Sequence, residues 1–207
     1  MQKAQKIKNK RVIKMYLFFD TETTGLAKNL KAPESDLNNW PRLVQIGWLH
    51  YNKTEKQIAK NSRIIKPNGF IIPDEAIKKH GISNERAKKE GVALKQVLNE
   101  FSSILRKSKF LIAHNVKFDK GVVGSEFLRT DIKNNLSDIK KICTLESSTD
   151  FCEIPGPYGY KWPNLPELHM KLFNIPIKES HNALLDAETC AKCFFELVKK
   201  GVIKLNL

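Results

Sequence analysis

The chain has 207 residues, 41% of them apolar, and a formal charge of +14 at neutral pH. That length supports one domain whose core needs neither disulfides nor a structural metal, and the charge favours a polyanionic partner such as nucleic acid. No apolar run approaches the roughly 18 residues of a membrane span, and no signal peptide is visible. The expectation is therefore a cytoplasmic protein, not associated with a membrane, whose four cysteines stay reduced.

Residues 1–14 hold Lys3, Lys6, Lys8, Lys10, Arg11 and Lys14 among few apolar side chains. They read as a basic tail able to add phosphate contacts, ahead of a single domain over 15–207. Residues 15–19 form an aromatic, non-alternating apolar run, the pattern of a strand buried on both faces. Residues 27–41, with Pro33, Asp36, Asn38, Asn39 and Pro41, read as a long loop. Strands over 43–51 and 57–65 follow as a hairpin around Asn52-Lys53-Thr54-Glu55, then short helical turns over 73–91.

Apolar positions Val92, Leu94, Val97, Leu98, Phe101, Ile104 and Leu105 define an amphipathic helix. A short buried strand is expected over 110–113, with Asn115 as N-cap of the next helix and Asp119 about one turn into it. An edge strand is expected over 139–145. Residues 146–163 read as irregular, with Tyr158, Tyr160 and Trp162 alternating around Lys161. Those rings suit either base stacking or pinning of the loop to the core. A short helix over 164–173 precedes a last helix over about 182–200, ended by Gly201.

Cys190 and Cys193 form a Cys-x-x-Cys pair inside that last helix, while Cys143 and Cys152 stand apart. Zinc sites usually present two tight pairs in turns, so all four cysteines read as small buried hydrophobes.

The chemistry concentrates on acids. Asp20 and Glu22 close the first strand one residue apart. Strand alternation puts them on one side, roughly 7 Å apart at the backbone. That spacing allows them to bridge two divalent cations about 3.5–4 Å apart. Asp119 and Asp186 are two more acids within apolar stretches, where unpaired charge is costly. A cluster of four repels itself unless cations compensate, and an oxygen-only donor set favours Mg²⁺ or Mn²⁺. His181 lies five residues before Asp186. In one continuous helix the two would be about 140° apart. The histidine is therefore expected on the preceding loop, as a general base and not a metal ligand.

The segments Phe-Asp-Thr-Glu-Thr-Thr-Gly-Leu (19–26), His-Asn-Val-Lys-Phe-Asp (114–119) and His-Asn-Ala-Leu-Leu-Asp (181–186) resemble the three motifs of the DEDDh, or DnaQ-like, 3′–5′ exonucleases. That superfamily includes proofreading exonucleases, ribonuclease T and oligoribonuclease. Lys79-His80-Gly81-Ile82-Ser83 resembles a further family segment, and the likeness extends over about 15–200. It implies an α/β, ribonuclease H-like fold, a mixed five-stranded sheet with helices on both sides.

It further implies that Asp20, Glu22, Asp119 and Asp186 hold two Mg²⁺ ions, with Mn²⁺ able to substitute, and that His181 deprotonates the attacking water. Thr23, Thr24, Gly25 and Leu26 resemble the segment lining the 3′-terminal nucleotide, and Asn115 lies beside the second motif. The implied reaction is in-line hydrolysis of the terminal phosphodiester of a nucleic acid with a free 3′ end, DNA favoured over RNA, releasing nucleoside 5′-monophosphates. RNA trimming or oligoribonuclease activity is the enzymatic alternative. A non-catalytic nucleic-acid-binding module is the other, and the intact acids and histidine argue against it. Association with a polymerase and the oligomeric state stay open at this stage.

Overall fold

The computed structural model describes residues 15–178 and 180–205. The basic tail over 1–14 lies outside them. Five strands form one mixed sheet in the order β3-β2-β1-β4-β5. They are β1 (Tyr16–Thr23), β2 (Leu43–Tyr51), β3 (Gln57–Ile64), β4 (Phe110–Ala113) and β5 (Lys140–Cys143). β1 pairs antiparallel with β2 and parallel with β4, so it is central and covered on both faces. Its near-continuous apolar run follows from that position.

The two faces take alternate residues of β1. Leu17 and Phe19 pack with α3 (Leu94–Leu105) and α4 (Val116–Thr130). Tyr16 and Phe18 pack on the other face with residues of α6 (Leu165–Phe173) and α7 (Ala183–Lys199). Two seven-residue helices, α1 (Asp74–His80) and α2 (Asn84–Glu90), supply the turns expected over 73–91 and enclose a small third core around Val44 and Ile72. The architecture is the α/β, ribonuclease H-like arrangement, a mixed sheet with helices on both sides.

β1 runs through Thr23, so Asp20 and Glu22 lie within the end of the strand, as expected. Two local expectations need correction. Asn115 does precede α4, but in the left-handed conformation and without a side-chain capping bond. The stretch 146–163 is not wholly irregular. β5 stops at Cys143 and α5 (Thr144–Cys152) begins at once, followed by a minimal hairpin, β6 (Pro155–Gly156) and β7 (Gly159–Tyr160).

The reason α5 escapes a pattern search lies in its buried face. Thr144, Ser148 and Cys152 are its buried residues, and the Ser148 and Thr149 hydroxyls donate to the Leu145 carbonyl. Small hydroxyl residues with local hydrogen-bond partners leave no apolar stripe to read.

The 27–41 loop is irregular, as expected, yet firmly held. Asn39 is buried and exchanges two hydrogen bonds with the Asn29 backbone. Trp40 packs against α4 where Gly121 leaves room, since a Cβ there would meet the indole at 2.2 Å. Its Nε1 donates to the Pro33 carbonyl.

Candidate metal centre and substrate cleft

The parity of β1 distributes the acids. Asp20 and Glu22 share the face of Phe18 and point toward α7, while Thr21 points toward α4. Asp186 sits in the first turn of α7. Asp20, Glu22 and Asp186 each bring a carboxylate oxygen within 4.8 Å of the others, and among the described residues they are the one such cluster of metal-ligating side chains. Asp119 reaches the site from the opposite face, where the Thr21 hydroxyl donates to its Oδ1 at 2.7 Å. It is almost fully buried and stands outside the set of three.

Two close approaches place α7. Gly47 lies directly opposite Asp20 in the β1–β2 pairing, and a Cβ on it would stand 2.4 Å from the Leu184 nitrogen. The absent side chain lets the N-terminus of α7 rest on the sheet, which brings Asp186 over Asp20. Gln45 then accepts from the Ala183 N–H at 3.1 Å, and its amide donates to Ser62. Asn182 caps the helix by accepting from Leu184 and Leu185. Asp186 is itself oriented by the Ser180 hydroxyl, which donates to Oδ1 at 2.7 Å, and by the Asn182 N–H on Oδ2.

Burial and mutual repulsion dominate the electrostatics. Asp20 is pushed well above the usual carboxylate range, first by burial and then by Asp119, Asp186 and Glu22. Burial with Asp186 and Asp119 lifts Glu22 to about 8, against the pull of Lys79. Burial raises Asp119 to about 7, opposed by the Thr21 hydroxyl. Acids that resist ionisation in such a group fit one kind of occupant, a hard multivalent cation whose charge offsets theirs. The cysteines do not compete. All four are free and buried, and burial drives the Cys193 thiol up to about 12.

His181 precedes the cap of α7 with φ of 43°, off the helix as the spacing indicated. It borders two cavities. One, of about 490 Å³, is walled by Thr21 to Leu26, Ala76, Lys79, His80 and Phe118. Thr23, Thr24, Gly25 and Leu26 thus form one side of a cleft that Glu22 and His181 also reach. The other cavity, of about 140 Å³, is lined by Asp20, His114, Leu165, Pro166, Lys178 and Asp186 as well as His181. Asn115 lines neither; its left-handed backbone turns the chain from β4 into α4.

Two histidines were given no role from sequence. His114 sits in the second motif, and its Nε2 donates to the Pro163 carbonyl at 3.0 Å. Its Nδ1 is left to accept from Thr144 Oγ1, also at 3.0 Å. Burial holds it down to about 4, so the ring is neutral. His80 is lowered by burial, with a further push from His181, and its Nδ1 accepts from Ile82. The segment resemblance around residues 79–83 was the one available signal for His80.

Comparison with known proteins fits this geometry. The family model for the RNase T exonucleases, described as "Exonuclease", matches residues 17–194. DNA polymerase III subunit epsilon of Buchnera aphidicola is 30% identical over 184 residues, covering 86% of this chain and 72% of that protein. Ribonuclease T of Marinobacter nauticus is 29% identical, with 87% and 80% covered. The PolC-type DNA polymerase III of Streptococcus mutans is 28% identical, but the chain spans 11% of its length. Escherichia coli exonuclease I, solved with a dT13 oligonucleotide, superposes with a TM-score of 0.70 at 20% identity, over 90% of this chain and 41% of that one. With the family model spanning most of its length, the chain belongs to the exonuclease family, of the metal-dependent DnaQ-like 3′–5′ type that its three motifs resemble.

Proposed function

We propose that this domain removes single nucleotides from the 3′ end of a nucleic-acid strand, DNA in preference to RNA, releasing nucleoside 5′-monophosphates. The observation that carries the proposal is the convergence of Asp20, Glu22 and Asp186 beside His181, at the meeting point of two cavities. Asp20, Glu22 and Asp186 hold divalent cations, with Asp119 completing the donor set from the far face of the sheet. Two Mg²⁺ ions, replaceable by Mn²⁺, suit these oxygens. When bound, such ions supply Lewis-acid stabilisation of charge developing on the phosphoryl group and the leaving 3′-oxygen.

The rest is the work of the chain. The terminal nucleoside lies in the larger cavity against Thr23, Thr24, Gly25 and Leu26, and Asn115 sets the entry of α4 that carries Asp119. His181 takes the proton of the attacking water, and its place between the cavities puts it beside the bond to be cut. The excess of lysine over the surface draws in the strand, while the acids address only one phosphate. The likeness to the epsilon subunit supports a polymerase as partner, and the likeness to ribonuclease T supports RNA 3′-end trimming as the second reading. Free buried cysteines suit a reducing, cytoplasmic setting.

The test uses 5′-labelled single- and double-stranded DNA and RNA with Mg²⁺, Mn²⁺ or chelator. Stepwise shortening from the 3′ end, faster on DNA and absent with chelator, is expected. Internal cutting, or equal activity in chelator, would refute it.

A further inference from the structure

The hairpin of β6 and β7 and the residues just after it carry three exposed aromatic side chains. Tyr158 is fully exposed, and Tyr160 and Trp162 are more than half exposed. Tyr160 lies in β7 and Trp162 two residues on, the spacing that puts both rings on one side of an extended strand, while Tyr158 stands in the hairpin turn just before Gly159 at φ of 118°. The sequence allowed either base stacking by these rings or pinning of the loop to the core, and polar bonds hold the segment in any case.

The Lys161 N–H donates to the Ile154 carbonyl at 2.9 Å. Its ammonium pairs with Glu167, which together with Asn164 closes the capping box of α6. The Pro163 carbonyl accepts from His114, a wall of the cavity that contains Asp20, His181 and Asp186. The platform is thus fixed in place one residue away from the wall of the cleft.

The direction of the strand follows from the two cavities. A terminal phosphodiester has one nucleoside on its 3′ side and the rest of the strand on its 5′ side. With the terminal nucleoside beside Thr23–Leu26, the remainder leaves past His114, Leu165 and Pro166, toward the hairpin. Exposed rings on a chain of formal charge +14 match one occupant, the unstacked bases of a single strand.

We propose that Tyr158, Tyr160 and Trp162 form a base-stacking platform for the nucleotides 5′ of the bond that is cut, which makes the enzyme favour single strands several nucleotides long. The proposal rests on the exonuclease reading above.

Two measurements on the full chain test it. The first is the ratio of kcat/KM on a single-stranded octamer to that on a dinucleotide, with Mg²⁺. Replacing Tyr160 and Trp162 by serine should lower this ratio by about 10²-fold, at about tenfold per lost stack. Replacing both by phenylalanine should restore it to within about threefold. The second is quenching of tryptophan fluorescence by acrylamide in the presence of chelator. Trp40 and Trp48 are buried, so the quencher reports on Trp162. The octamer should protect it, whereas anionic vesicles, blunt duplex or higher protein concentration alone should not.

A serine variant whose ratio stays within about twofold of wild type overturns the platform. So does protection by vesicles or by self-association in place of the octamer. If the wild type cuts neither substrate, the exonuclease reading fails, and the fluorescence measurement still decides the fate of the platform.

Discussion

Gly47→Ala should disable the site without touching any acid. The new Cβ would stand 2.4 Å from the Leu184 nitrogen and 2.5 Å from the Ala183 carbonyl carbon, all of it backbone that cannot rotate away. Restoring an ordinary contact near 3.5 Å requires the N-terminus of α7 to retreat by about 1 Å. Overpacking of this kind costs about 1–3 kcal/mol, or a few degrees to about ten in Tm for a domain of this size. The kinetic effect should be larger. Asp186 is in the first turn of that helix, and a 1 Å misplacement of a catalytic group costs about 10²-fold in rate. Gly91→Ala is the matched control. Its Cβ meets the Ala87 carbonyl oxygen at 2.1 Å and Lys66 at 2.6 Å, far along the chain from the acids, so it should lower Tm while kcat holds. Steady-state hydrolysis with thermal melts on both variants separates the effects. If Gly47→Ala keeps kcat within about twofold of wild type, close seating of α7 does not position Asp186 and the reasoning is wrong.

Asp20→Ala or Asp186→Ala should abolish hydrolysis and Mg²⁺ binding by calorimetry while leaving a folded protein, and near-wild-type turnover in either would end the metal-centre account. His181→Ala should slow turnover by about 10²-fold or more yet nearly keep Mg²⁺ affinity. Its rate should go on climbing with pH where the wild type levels off; loss of metal binding as complete as in Asp186→Ala would make His181 a ligand. Glu22, ordinarily near 4.5, sits at about 8 in the metal-free fold, so the folded state holds the extra proton between those values. Stability without divalent cations should therefore fall as pH rises toward 8, and Glu22→Gln should flatten that decline in a series of melts. His114 has the opposite sign: lowered from 6.5 to about 4, it contributes fully above pH 6.5 and is lost as pH falls through 4. His114→Gln should thus remove an acid-side loss of stability, and an unchanged acid-side profile would show that burial of the neutral ring is not what costs stability there.

What the sequence disclosed and what it hid divide along a physical line. Strand parity is local, so the shared side of Asp20 and Glu22 could be read from Asp-x-Glu, as could the place of His181 off the helix of Asp186. The same parity sends Thr21 to the other face and leaves Asp119 bonded to it, but that arrangement depends on where α4 crosses the sheet. Gly47 gives no sign in sequence of being a seat for α7, since a glycine in a strand shows its reason only when another backbone lies 2.4 Å from its missing Cβ. α5 stayed hidden because its buried residues are two hydroxyl side chains and a cysteine, not large hydrocarbons. Asn115 has the residue type of a cap but uses its tolerance of the left-handed region instead.

The arrangement also explains why the carboxylates stand ready before any cation arrives. A self-repelling cluster relaxes by swinging its side chains apart unless something fixes them. Here Thr21 holds Asp119, Ser180 and the Asn182 N–H hold both oxygens of Asp186, and the strand backbone fixes Asp20 and Glu22. Burial first, and this repulsion with it, then appears as raised proton affinity, which a cation at the proposed site would offset by replacing the protons. His181 is held differently. It sits outside every helix and strand at φ of 43°, a conformation that costs a non-glycine residue about 1–3 kcal/mol. That cost buys a position that neither α7 nor β1 could give it, bordering both cavities at once, which is where the proposed role of His181 as base would place it.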